Sequence, residues 1–98
     1  MEDRELLELA AKAAGMTLTL GGYKGAYRSD ENGRLWNPLT DDGDALRLAL
    51  RLGLFNSMEG FQEFQGFYSD EVSKDNRPTL ATRRAITTIA AEIGRSME

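Results

Sequence analysis

Apolar and polar positions alternate along the chain in helical and extended periods, and the pattern divides it into eight predicted elements. Leu6, Leu7, Leu9, Ala10, Ala13 and Ala14 cover more than half of a helical circumference and leave a polar stripe of Glu5, Glu8 and Lys12. This predicts a helix over 3–14, with Asp3 as N-cap, Glu5 complementing the dipole and Gly15 as the stop. A short helix so apolar expects cover on more than one side. Met16, Leu18 and Leu20 then alternate with Thr17 and Thr19, the period of a strand. Gly21-Gly22 breaks it, Tyr23 to Arg28 reads as a second strand, and Ser29 to Gly33 is a turn cluster with the hairpin dipeptide Asn32-Gly33. Arg34-Leu35-Trp36 returns as a third strand.

The loop Asn37 to Asp44 opens a second helix, with Thr40 expected as N-cap and three aspartates around the first turn. Ala45, Leu46, Leu48, Ala49, Leu50 and Leu52 carry it to Gly53, with Asp44, Arg47 and Arg51 as the polar stripe. Leu54 to Met58 reads as a strand. Phe61, Phe64 and Phe67 recur at period three, which fits neither template well. Gly60 and Gly66 argue against a helix, so Phe61 to Tyr68 is expected as a bulged or edge strand and Ser69 to Arg77 as a loop. A last helix starts near Pro78-Thr79 and is amphipathic through Ile86, Ile89, Ala90, Ile93 and Met97, with Arg84, Thr88, Ala91 and Arg95 opposite. The expected fold class is α+β, in one domain spanning 1–98. Three helices would pack on an antiparallel or mixed sheet of four to five short strands, in the order α-β-β-β-α-β-β-α.

Composition narrows the chemistry. The 98 residues contain no cysteine and no histidine. Disulfides, thiolate nucleophiles, Ser–His–Asp catalysis and the commonest metal ligand are therefore excluded within this chain. A net charge of −4 and a pI of about 4.8 weigh against nucleic acid as the main ligand. No apolar run approaches the roughly 20 residues of a membrane span, and the acidic start Met1-Glu2-Asp3-Arg4-Glu5 is not that of a signal peptide. The expectation is a soluble cytoplasmic protein that is not an enzyme and needs no cofactor.

Three stretches taken together carry a resemblance: Glu5 to Gly15, Trp36-Asn37-Pro38-Leu39-Thr40-Asp41-Asp42-Gly43-Asp44-Ala45-Leu46-Arg47-Leu48-Ala49, and Ala81 to Ile86 with Ala90 to Gly94. They resemble small proteins of tailed bacteriophages and prophages grouped as the phage ABA sandwich domain. The resemblance covers a little under half of the chain, and its specific part is the Trp36–Ala45 segment. It implies an α/β/α layering, a phage origin and the host cell cytoplasm as compartment. It implies no activity.

Each candidate site has a structural and a functional reading. Asp41, Asp42 and Asp44 supply the carboxylate oxygens that Mg²⁺ or Ca²⁺ prefers, but each also stands where a helix start favours aspartate. Trp36 beside Asn37 is either a ligand platform or a core anchor with a turn brace. The run Gly21-Gly22-Tyr23-Lys24-Gly25 could cradle a phosphate, although it lacks a Walker spacing and opens no helix. Phe61 and Phe64, with Phe67 and Tyr68, are core residues or a sticky patch. Arg83, Arg84 and Arg95 form a solvated face or a basic contact. No pair among the sixteen acids is singled out for glycosidase-type chemistry. The leading expectation is a non-enzymatic interaction protein that binds a host or phage protein, with inhibition of a host anti-phage defence protein as the specific form and self-association as a further partner mode. A small-ligand or nucleotide-signal binder is the first alternative, and a metal-dependent enzyme using Asp41, Asp42 and Asp44 the second.

Overall fold

The computed structural model describes residues 2–20, 27–31 and 33–97. The first element is helix α1, Asp3–Ala13, which ends as the pattern requires. Gly15 adopts φ +74°, its N–H donates to the Lys12 carbonyl, and the Met16 N–H reaches back to the Ala11 carbonyl. That pair of bonds is a Schellman stop, which needs a left-handed residue. Glu2, not Asp3, holds the N-cap position, and it makes no side-chain cap bond. Asp3 is instead drawn to Arg84, 3.2 Å away.

Three short antiparallel strands follow in the order β1 (Leu18–Leu20), β2 (Tyr27–Ser29) and β3 (Leu35–Trp36). Leu18 pairs with Ser29, Thr19 with Arg28 and Tyr27 with Trp36. The register puts Tyr27, Ser29 and Trp36 on the buried face, while Thr19, Arg28 and Leu35 face outward and are exposed. Helices therefore cover one face of the sheet, which departs from the α/β/α layering that the resemblance implied. Asn32 and the Gly21–Ala26 stretch lie outside the described residues. The turn between β2 and β3 closes through Gly33, at φ +69°, with its N–H on the Ser29 carbonyl.

Helix α2, Asp42–Leu52, ends in the same way as α1. Gly53 is left-handed, and the Leu54 N–H bonds the Ala49 carbonyl, which drives Leu54 into the core at 5% exposure. Leu54 is thus the residue after a helix stop and does not begin a strand. The expected strand at Phe61–Tyr68 and most of the expected loop from Ser69 are replaced by a single helix α3, Met58–Lys74, and the expected strand at Leu54–Met58 is a turn leading into its first residue. The fold class is corrected accordingly: among the described residues four helices and a three-stranded antiparallel sheet stand where three helices on four to five strands were expected.

The physical reason lies in the phenylalanine spacing and the local cap. Three residues advance 300° around a helix, so Phe61, Phe64 and Phe67 drift by only 60° per step and share a side. Ser57 caps the helix by accepting the Gly60 N–H at 3.0 Å. A side chain at Gly60 would meet the Leu54 carbonyl oxygen at 2.6 Å, so this glycine is required by close approach. Gly66 has open space around it and costs helix propensity, roughly 1 kcal/mol against alanine. The packing of Phe64 and Phe67 against the core outweighs that cost.

Helix α4, Pro78–Ser96, is the centre of the molecule and packs against α1, α2 and α3. It carries Ala85, Ile86, Ile89, Ala90 and Ala91 at 2% exposure or less. Ala91, expected on the outer face, is enclosed by Leu6 and Leu9 of α1, and Met97, expected on the apolar stripe, is exposed. The main core joins Leu7, Ala10 and Ala11 of α1 with Tyr27, Trp36, Leu39, Leu48, Ile86 and Ile89. At the far end of α4, a Cβ built on Gly94 would stand 2.0 Å from the Leu9 carbonyl oxygen. Gly94→Ala should therefore destabilise by about 2 kcal/mol or more, and Gly66→Ala should stabilise by about 0.5–1 kcal/mol. Urea unfolding of the two variants checks both signs.

Candidate functional site

Trp36 to Asp44 forms a closed polar knot at the start of α2. The Asp41 backbone is extended, at φ −118° and ψ 120°, and its carboxylate accepts the Asp44 N–H at 2.8 Å. Asp41 is thus the N-cap in place of the expected Thr40, whose side chain is exposed. The Asp44 carboxylate accepts the Asn37 N–H and the Arg47 guanidinium, each at 2.9 Å. Asn37 Oδ1 in turn accepts the Leu39 N–H at 2.9 Å, an Asx-turn that seats Pro38 and Leu39 in the interior. Asp42 points elsewhere, to Arg83 of α4 at 2.7 Å, and Arg83 Nε also donates to the Leu39 carbonyl at 2.8 Å. The three carboxylates are thus engaged in ties within the fold, and among the described residues no group of three or more acidic, histidine or cysteine side chains is placed to hold a metal ion. Trp36, at 7% exposure, is a core anchor and offers no open platform.

Above this knot lies a cleft of about 690 Å³ between the sheet, the end of α1 and the polar side of α2. Its walls mix Met16, Leu35 and Trp36 with Arg34, Arg47 and Arg51. Arg51 grips Glu31 through both guanidinium nitrogens, and this hydrogen-bonded pairing holds the Glu31 carboxyl below the usual carboxylate range. Arg47 is held by Asp44. The volume suits a small ligand, but Arg47 and Arg51 already answer acids of the same chain. Tyr23 and Lys24, the expected phosphate-cradling residues, lie outside the described residues.

The expected basic face is a set of ties. Arg84 sits between Asp3 of α1 and Glu71 of α3, 3.2 and 3.7 Å away, and Arg95 reaches Glu5 at 3.4 Å. Tyr27 forms another tie. Its buried ring directs the hydroxyl to donate to Glu8 and to accept from Arg4. Desolvation first, and the bond to Glu8 second, push its pKa up.

What is left unsatisfied is the aromatic side of α3. Phe55 stands 5.5 Å from Phe64 and 6.5 Å from Phe61, edge to face, and Phe64 stacks on Tyr68 at 5.9 Å between ring centroids. Phe64 and Phe67 reach the core. Phe55, Met58 and Phe61 are 41%, 69% and 42% exposed, and none of the 17 residues of α3 is fully buried. On α2, Leu46 and Leu50 are more than half exposed as well. Phe61 and Phe64 were expected to be core or sticky surface, and the structure divides them: Phe64 is half-buried and Phe61 is exposed. Phe55 and Met58 escaped notice because they were assigned to a strand. The signal that would have found them is Ser57 three residues before Gly60, a helix cap that places Met58 and Phe61 one turn apart.

No known protein family, curated protein or solved structure matches the chain. No described helix is long and apolar enough to cross a membrane.

The knot and the tyrosine tie can each be tested. Asp44→Ala leaves the Asn37 N–H without its acceptor and should cost about 1–3 kcal/mol in chemical unfolding. Asp42→Ala removes an exposed pair and should cost about 1 kcal/mol at most. A tyrosine whose folded pKa is raised contributes stability that is present below its unfolded pKa and lost as pH rises through the folded value. The melting temperature should accordingly fall above about pH 10, and Tyr27→Phe should remove part of that fall. An unchanged alkaline slope in the variant would show that the tie contributes nothing.

Proposed function

We propose that this chain is a non-enzymatic interaction protein whose binding surface is the aromatic side of α3. The observation that carries the reading is a 17-residue helix without a single fully buried residue, beside which Phe55, Met58 and Phe61 stand exposed together. Large apolar side chains grouped at a surface, and held in place by ring contacts, are what a docking site costs a free monomer. The other conspicuous groups, Asp41, Asp42, Asp44, Arg83 and Arg84, are engaged in holding the fold together. The absence of histidine and cysteine supports the non-enzymatic half of the proposal. The Trp36–Ala49 resemblance to small phage proteins supports a phage-encoded protein acting on a host protein in the host cytoplasm. Inhibition of a defence protein is the specific role we propose.

A small-ligand role in the cleft beside Trp36 is the second reading, favoured by its 690 Å³ volume. The internal pairing of Arg47 and Arg51 ranks it behind the first.

Immobilised protein and its Met58→Asp variant, each exposed to bacterial lysate, test the main reading. Met58 is 69% exposed, so the variant should keep its melting temperature. A host protein should be retained by the wild type and lost by Met58→Asp. Identical recovery by the two would remove α3 from the binding surface.

A further inference from the structure

We infer that the cleft beside Trp36 takes a small organic carboxylate with an apolar body, and that Glu31 competes with this ligand for Arg51; the inference rests on the small-ligand reading of the cleft and is independent of α3. The lining is of two kinds. Leu7, Met16, Leu48 and Trp36 give the cleft an apolar floor, and Arg34, Arg47 and Arg51 bring positive charge to it. On α2, Asp44, Arg47, Leu48 and Arg51 fall within about 100° of arc, so one side of the helix presents charge and floor together. The two arginines of α2 are held differently. The Asp44 carboxylate that takes Arg47 is largely buried and also accepts the Asn37 N–H, so that pair belongs to the fold. Glu31, which takes Arg51, stands on the turn between β2 and β3, and both partners are exposed. Among the described residues its carboxylate is bound by Arg51 alone.

An exposed ion pair contributes little to stability, so Arg51 can exchange Glu31 for another carboxylate with little loss. The fork that Arg51 makes on Glu31 is the geometry in which a guanidinium takes any carboxylate. With Glu31 in place, the three arginines of the described lining face three acids, Glu31, Asp41 and Asp44. Once Glu31 turns outward, one positive charge is in excess beside the apolar floor. That excess matches a single carboxylate over Arg51, with its apolar body against Met16, Leu48 and Trp36. An uncharged ligand would leave Arg51 with Glu31 and gain the floor alone. An anion without an apolar body would gain only what Glu31 already supplies.

The test uses the full chain and follows the indole N–H resonance of Trp36, the only tryptophan, during titration with phenylacetate. Acetate, which lacks the apolar body, and phenylethanol, which lacks the charge, are the controls. Phenylacetate should shift the resonance saturably and bind at least about tenfold more tightly than either control. Glu31→Gln should tighten its binding by about threefold or more, because an internal competitor is removed, with little change in melting temperature. Arg51→Met should weaken it by about tenfold. Unchanged affinity in either variant would overturn the inference. If phenylethanol binds as tightly as phenylacetate, the cleft holds a ligand and only the preference for an anion is wrong. If none of the three compounds moves the Trp36 resonance, the small-ligand reading of the cleft falls together with the inference. Neither outcome bears on the Met58→Asp comparison, which reports on α3.

Discussion

The close approach of α4 to α1 is the contact on which the rest of the molecule depends. Gly94 lies against the Leu9 carbonyl, and Ala91 is enclosed by Leu6 and Leu9. Small residues on one helix let two backbones come nearer than larger side chains would permit. That proximity is what allows α1 to bury Leu6, Leu7, Leu9, Ala10 and Ala11. With α1 and α4 locked, α4 has its remaining sides free for α2 and α3. The sheet needs only one apolar face, and Tyr27 and Trp36 deliver it to the same core.

The start of α2 is tied to this frame by charge and hydrogen bonding more than by apolar area. Asp41 caps the helix, Asp44 reaches back to Asn37, and Arg83 carries the connection from Asp42 and Leu39 to α4. A partly buried backbone N–H such as that of Asn37 needs an acceptor, and here a carboxylate of the first helical turn supplies it. The segment most distinctive in sequence is therefore a device for bringing Trp36, Pro38 and Leu39 inside. Its acidic density is explained without any ligand.

The surface of α3 is different in kind. Its carboxylates in the last turns, Asp70 and Glu71, are matched by Lys74 and Arg84. Within the described fold Met58 stays 69% exposed, and Phe61, in spite of its ring contact with Phe55, stays 42% exposed. That exposure is the observation on which the proposed binding role of α3 rests.

Local signals were sufficient wherever structure is set by neighbours in the chain. The stops at Gly15 and Gly53, the start at Pro78, the turn ending in Gly33 and the first and third short strands were legible, because left-handed backbone, a missing N–H and period-two alternation act within a few residues, while most of the second strand expected at Tyr23–Arg28 lies outside the described residues. The absence of histidine and cysteine was equally plain, and with it the chemistry that this chain cannot perform alone. Tertiary structure decided what depends on distant partners. Phe61, Phe64 and Phe67 have a spacing that fits neither template well, and packing of Phe64 and Phe67 against the core goes with the helix in spite of Gly66. The outward-reading Ala91 became core only because α1 lies against it, and Arg83, Arg84 and Arg95 became ties only because α1, α3 and the α2 start bring acids to them. Exposure is a property of the folded whole, so the face of α3 could not be told from core until its neighbours were in place.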